Sequence, residues 1–272
     1  MKHQEGSRML VDERRRLLLD RLAREGKIIA KEMALELGLS EDSVRRDLRD
    51  MAASGLCQRV YGGALPASPA LADYAGRATV EPASKNRIAA IAAGLITSGS
   101  TIILDGGTTT LAVARALRPN LSCTVITHSP TIAAALVDHP GADVFLIGGR
   151  LFKHSAVTCG SAATEAANAV SADLFLLGVT GVHPDHGLTT GDADEAAMKR
   201  ALAARAAETL VLASAEKIGA ASRYLVLPVD HVDGIVTDVP PDDRTLTELR
   251  RRGIAIFGDV EWNPRRAGLE ER

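Results

Sequence analysis

Over residues 12–24, Leu18, Leu19 and Leu22 gather on one side of a 3.6-residue period. That spacing predicts a helix from about Asp12 to Arg24, stopped by Gly26. Ile28 and Ile29 read as a short extended piece, and Lys31–Leu37 as a second helix closed by Gly38. Ser40 is a good N-cap for a third helix, and Glu41 and Asp42 in its first turn suit the helix dipole. Val44, Leu48 and Met51 recur at i, i+4 and i+7, so one stripe of this helix packs inward and Gly55 ends it. Leu56–Val60 and Ala64-Leu65 flank a turn at Tyr61, Gly62 and Gly63, which reads as a hairpin.

Beyond residue 82 the pattern changes. Short apolar runs alternate with helical stretches. The runs are Thr101–Leu104, Thr124–Thr127, Val144–Ile147, Leu174–Val179, Leu210–Leu212, Tyr224–Leu227 and Gly234–Thr237. The helical stretches are Ala83–Ile96, Thr109–Leu117, Pro130–Val137, Thr164–Val170 and Asp194–Glu208. Such alternation predicts an α/β body with a mainly parallel sheet, and continuous apolar strands fit a sheet covered on both faces. Gly62–Pro82 is rich in Gly, Ala, Pro and Ser without a period, and reads as a linker. The expected division is a head over 1–65, a linker over 66–82, a body over 83–260 and a tail over 261–272.

Composition narrows the class. The 272 residues are 46% hydrophobic and 24% charged, which excludes a disordered chain, a collagen-like repeat and a coiled-coil rod. The longest apolar stretch, near Ile88–Ile96, is far short of the roughly 20 residues that span a bilayer. No apolar segment follows Met1 as in a secretory signal, so a cytoplasmic chain without membrane partners is expected. Cys57, Cys123 and Cys159 are scattered and read as small buried hydrophobes. Neither they nor the seven histidines cluster as metal ligands, and no metal or cofactor is expected. The net charge of −2 hides an asymmetry: residues 1–65 carry 13 Lys and Arg against 11 Asp and Glu, the remainder 19 against 23. That is the sign expected of a nucleic-acid-binding head on an acidic body.

Two short helices joined by a tight turn make a helix-turn-helix, whose second helix enters the major groove. With Val44, Leu48 and Met51 inside, Ser43, Arg45, Arg46 and Arg49 point out or sideways. Ser40 stands at the helix start, and Arg59 and Tyr61 sit on a wing. Arginine bonds bidentately to guanine or phosphate. For any one arginine a solvated pair with Glu41, Asp42, Asp47 or Asp50 is as good a reading; the whole arrangement favours double-stranded DNA.

In the body, Asp105, Gly106, Gly107, Thr108, Thr109 and Thr110 follow a strand and open a helix. Glycines let the backbone approach a ligand, and free N–H groups with threonine hydroxyls suit an anionic oxygen. The run is neither GxGxxG nor a P-loop, and a plain capped turn is an even alternative. A second loop, Gly187–Asp192, leads into a helix with Glu195 and Lys199 at i, i+4, where a surface ion pair is the bland reading. Ligands on open α/β sheets sit beyond the carboxyl ends of strands. Both loops, and Lys217, belong at that edge. Gly148, Gly149 and Arg150 fit a plain turn better. No GxSxG occurs, so a hydrolase triad has no support.

These runs resemble the DeoR family of bacterial transcription regulators. Leu18-Leu19, Gly26–Ile28, Glu36–Leu48, Gly55-Leu56 and Arg59–Ala64 are similar to its N-terminal signature. Leu104–Thr110, Val125–Thr127, Ile147–Gly149, Gly187–Thr190 and Glu195–Arg200 are similar to its sensor domain. The likeness spans about residues 10–257. It implies a winged helix-turn-helix followed by a fold like ribose-phosphate isomerase and CoA-transferases, sensing a phosphorylated sugar. It also implies that Asp105, Gly107, Thr108, Thr109, Thr110, Asp192, Glu195, Lys199 and Lys217 line the effector site, with Gly106 in the same run. The sequence departs at Gly106, where a serine is common, and at Ser214–Lys217, where an acid moves from the first to the third position.

The leading expectation is therefore a non-enzymatic repressor that binds operator DNA under control of a small phosphorylated sugar. Paired heads would supply avidity, so a homodimer or higher even oligomer is expected. The alternatives are a sugar-phosphate isomerase with Glu195 as general base, and a head that docks protein instead of DNA.

Overall fold

The computed structural model describes residues 10–68 and 72–258, and the expected tail over 261–272 lies outside them. The chain divides into two compact units, residues 1–68 and 69–272.

The first unit holds α1 (Val11–Glu25), β1 (Ile28–Ile29), α2 (Ala30–Leu37), α3 (Glu41–Ala53), β2 (Cys57–Val60) and β3 (Gly63–Pro66). Gly38, at φ +63°, takes the left-handed conformation that a side chain resists and so makes the tight turn between α2 and α3. Leu18, Leu22, Met33, Val44, Leu48 and Met51 close one core. The hairpin β2–β3 is joined by β1, which pairs with β3 in antiparallel register (Ile28 with Ala64, Ile29 with Gly63). A Cβ on Gly63 would lie 1.7 Å from the carbonyl oxygen of Ile28, so only glycine lets this third strand close in.

The second unit begins with α4 (Tyr74–Thr79), inside the stretch expected to be a linker. The Asp73 side chain caps it on the Gly76 N–H. Six residues are too few to display a period among Gly, Ala and Pro, so α4 is invisible to pattern. There follow α5 (Pro82–Gly94), β4 (Thr101–Leu104), α6 (Thr108–Ala116), β5 (Cys123–Thr127), α7 (Pro130–Leu136), β6 (Ala142–Leu146), β7 (Arg150–Phe152), β8 (Val157–Cys159), α8 (Ser161–Asn168) and β9 (Ala172–Gly178). Then come β10 (Gly181–His183), β11 (Gly187–Thr190), α9 (Ala193–Ala203), β12 (Ala206–Leu212), β13 (Tyr224–Leu227), β14 (Gly234–Val236), α10 (Arg244–Arg251) and β15 (Ala255–Phe257).

Among the described residues seven strands form one sheet in the order β15-β14-β12-β9-β4-β5-β6, and every pairing in it is parallel. Alternate residues go to opposite faces. Ile102, Leu104, Leu174 and Leu176 pack under α5, α6 and α7, while Ile103, Phe175 and Leu177 pack under α8, α9 and α10.

Three expectations change. Tyr224–Leu227 is not in the parallel sheet but joins β10 and β11 in a small antiparallel one, so Gly187–Thr190 is a buried strand, not a loop. The helix expected to run from Asp194 to Glu208 stops at Ala203. Residues from Ala206 on pair with β9 from Ala172, and that tertiary pairing overrides the helical propensity of the alanines. The hairpin β7–β8 was not expected at all; its three-residue strands are too short to show alternation.

Topology fixes where a ligand can sit. From β4 the chain proceeds outward through β5 to β6; it later returns to β4's other side with β9 and continues to β12, β14 and β15. The strand order reverses between β4 and β9. The connections leave these neighbours in opposite directions and open a crevice at their carboxyl ends.

Candidate functional site

The crevice is a cleft lined by Gly106–Thr110 from the end of β4, Gly178–Thr180 from the end of β9, and Thr190, Glu195, Lys199, Glu216 and Lys217. Gly107, at φ +137°, is the N-cap of α6, and no side chain caps that helix. Its opening N–H groups are thus left for a solute. The Thr110 hydroxyl donates to the Gly107 carbonyl at 3.0 Å, and Lys217 Nζ donates to Thr109 Oγ1 at 3.5 Å. A Cβ at Gly106 would fall 1.9 Å from Val157 Cγ1, so a side chain here requires Val157 to move.

Beneath the cradle lies a buried charge network. Asp105 is fully buried. Its Oδ2 accepts from Lys199 Nζ at 2.5 Å and from the Gly178 N–H at 2.8 Å, and its Oδ1 lies 2.8 Å from His128 Nε2. His128 Nδ1 faces the Thr158 carbonyl oxygen at 2.9 Å. Burial opposes ionisation of Asp105, but the Lys199 ammonium and the His128 hydrogen bond outweigh it and hold the pKa at about 2. Burial likewise opposes the charge on Lys199, and Asp105 and then Glu195 more than restore it, so its pKa is raised. Lys217 is different. Burial drives its pKa down to about 8; Glu216 pulls the other way, while Lys85, Arg77 and Lys199 add to the fall. The cleft thus concentrates positive charge that its own acids do not fully balance.

Asp105 was expected to line the site and does not: its oxygens are spent on Lys199, Gly178 and His128, so it forms the floor. Asp192 is not in the cleft either. It caps α9, accepting from the Asp194 and Glu195 N–H groups at 2.9 and 3.0 Å, and borders a second, outer pocket. Glu195 and Lys199 are no surface pair, being 5% and 2% exposed. Arg150 is exposed and lies 3.5 Å from Asp194, away from the cleft. Sequence reasoning missed Arg77, Lys85, Thr180, Thr190 and Glu216, which line the cleft, and His128, which supports it. Arg77 had a faint signal in the capping residue Asp73 ahead of α4.

The cleft is tight, with about 30 Å³ of free interior, room for about two waters. The outer pocket is roomier, about 360 Å³, and shares Arg77, Thr180 and Glu195 with it.

The head presents a second surface. Ser40 Oγ accepts from the Ser43 N–H at 3.2 Å and lies 2.8 Å from Ser43 Oγ, so both serines are engaged in capping α3. Arg45 donates to Glu41 at 3.0 and 2.6 Å. Two further acids of α3 are taken by α1: Asp47 is buried against Arg14, and Asp50 accepts from Arg15 at 2.8 Å. Arg46 and Arg49 are therefore exposed with no acidic partner among the described residues. Arg59 and Tyr61 on the hairpin share one concavity with Arg45.

A helix-turn-helix with unpaired arginines, joined to an α/β unit with an electropositive crevice, defines a two-part DNA-binding transcription regulator. The model described as DeoR-like helix-turn-helix domain matches residues 14–69, and that described as DeoR C terminal sensor domain matches residues 80–239. The chain belongs to the DeoR family. It is 32% identical to the HTH-type transcriptional repressor GlcR of Bacillus subtilis over 251 residues, 92% of this chain and 96% of that protein. It is 28% identical to the glycerol-3-phosphate regulon repressor of Escherichia coli K12 over 240 residues, 88% of this chain and 95% of the other. Among solved structures, the sorbitol operon regulator SorC from Klebsiella pneumoniae superposes at a TM-score of 0.39 with 13% identity, covering 83% of this chain and 96% of that one.

Proposed function

We propose that this regulator represses carbohydrate-metabolism genes from the cytoplasm by gripping operator DNA, and is itself controlled by a small phosphorylated sugar, without catalysing a reaction. The observation that carries the effector reading is the uncapped start of α6 facing the buried cation Lys217. A phosphate there gains N–H donors, threonine hydroxyls and an ammonium that lacks a full counter-charge. The name of one relative, the glycerol-3-phosphate regulon repressor, supports a small phosphorylated effector.

On the head, Arg46 and Arg49 are the side chains we assign to DNA. Arg45, Arg59 and Tyr61 flank them, and Ser40 and Ser43 set the helix start. One head offers few contacts, and half-site pairing on a homodimer or higher even oligomer would supply the remainder. The effector must bind one arrangement of the protein better than another, since equal affinity shifts nothing.

The test is a thermal-shift series of pentose and hexose phosphates against the full chain, beside their unphosphorylated sugars. Stabilisation by the phosphorylated forms alone is expected. Equal stabilisation by the free sugars would remove the phosphate from the reading.

A further inference from the structure

Arg77 reaches the cleft from α4, not from the sheet that builds the rest of it. Its Nε and Nη2 atoms are buried and have no hydrogen-bond partner. Together these atoms form one edge of the guanidinium, the edge that grips an oxyanion in two parallel bonds. At Arg15 and Arg21 Nε alone is buried without a partner, and several other arginines fill that edge. Arg14 uses it on Asp47, Arg45 on Glu41, Arg87 on Asp238, and Arg205 on the Val170 carbonyl and Ser171 hydroxyl. Burial depresses the pKa of Arg77, opposed first by Glu195, yet no acid comes within bonding distance of the edge. Unpaired buried donors are costly, and a charged pair more so.

A second unpaired group stands nearby. Ser155 is 2% exposed, its Oγ has no partner, and it borders the outer pocket that Arg77 also borders. Arg77 thus stands where the tight inner cleft meets the roomier pocket, with donors facing nothing.

We infer that the empty edge of Arg77 is the clamp for an oxyanion of the effector, carboxylate or phosphate, and that α4 is thereby a ligand-sensing element. This rests on the reading of the cleft as the effector site. The backbone of α4 is already fixed to the same unit. Tyr74 Oη donates to Thr131 Oγ1 at 3.1 Å, and Lys85 Nζ donates to the carbonyl oxygens of Arg77 and, at 2.5 Å, Val80. What changes on binding is the Arg77 side chain, and with it the opening stability of a helix that starts six residues after Ser68, the last described residue of the head.

The test uses the full chain with inorganic phosphate, glucose 6-phosphate and 6-phosphogluconate, followed by calorimetry and by hydrogen exchange over residues 74–80. Arg77→Lys keeps the charge but loses the two-donor edge. It is expected to weaken at least one of these ligands tenfold or more and to abolish any slowing of exchange over 74–80. If inorganic phosphate itself weakens, Arg77 shares the cradle's phosphate. If only the preference for phosphogluconate over glucose phosphate is lost, Arg77 holds a second, carboxylate end. Unchanged affinity for all three in Arg77→Lys overturns the clamp. Lys217→Met separates the two readings: if it also binds all three as wild type does, the cleft is not the effector site. Absence of binding to the wild type overturns both.

Discussion

The cleft of the body and helix α3 of the head both gather charged residues, but they treat them oppositely. In the cleft and its floor Asp105, Glu195, Lys199 and Lys217 are withdrawn from water, and each is positioned by fixed neighbours. On α3 Asp47 and Asp50 are paired with arginines of α1 and Glu41 with Arg45, and Arg46 and Arg49 are left in solvent. A buried charge interacts strongly and costs much when its partner is lost; an exposed one is screened and contributes little to folding. The first arrangement suits a site that must recognise one small anion. The second suits a surface that meets a polyanion and releases its counterions.

The contrast can be broken most forcefully at Lys199. Lys199→Met leaves the Asp105 carboxylate buried without its ammonium, and a loss of about 3–5 kcal/mol is expected in urea unfolding of the body. Adding Asp105→Asn is expected to recover part of it, because the stranded charge is gone. Next in size is Arg46→Ala with Arg49→Ala. Each lost contact is expected to cost about 1–3 kcal/mol of operator affinity by fluorescence anisotropy, with stability unchanged within about 0.5 kcal/mol. If this pair unfolds the head, the two arginines belong with the buried class and the comparison fails. Arg14→Ala is the matched control, because it frees the acid of Asp47 inside the head and should lower stability first.

A smaller effect comes from pH. Lys217 has its folded pKa lowered to about 8 from 10.5. Between those values the unfolded chain holds a proton the folded chain has shed, so this group's contribution to stability rises with pH across that window. Phosphate affinity runs the other way and is expected to fall as pH passes about 8, by at most about tenfold per unit. Calorimetry from pH 7 to 9.5 on wild type and Lys217→Met checks the sign, and the slope should vanish in the variant. Smallest of all, Tyr61→Ala should leave stability within about 0.5 kcal/mol, since the ring is wholly exposed, and should register only in DNA affinity.

Much of this was legible in the chain itself, for a local reason. The three head helices are set by caps and apolar stripes within a few residues, as at Ser40 and Val44–Met51. The parallel strands announce themselves as apolar runs. The cradle at Gly106–Thr110 was readable because a strand-to-helix turn brings its residue types together in sequence, and Glu195, Lys199 and Lys217 because they follow strands that end at the same edge. The fate of Asp105 was not, because it depends on Lys199, 94 positions away. Nor was Arg77, which lies in a stretch whose composition mimics a tether. The short strands β7, β8, β10 and β11 were missed because pairing across the fold, not periodicity, creates them.

The methyl group of Val157 that fills the space beside Gly106 couples two distant positions. A side chain introduced at 106 meets that methyl and forces Val157 to move, whereas a smaller residue at 157 removes the contact. Retuning which solute this crevice accepts is therefore a two-residue problem, in which a replacement at 106 acts together with the packing of residue 157.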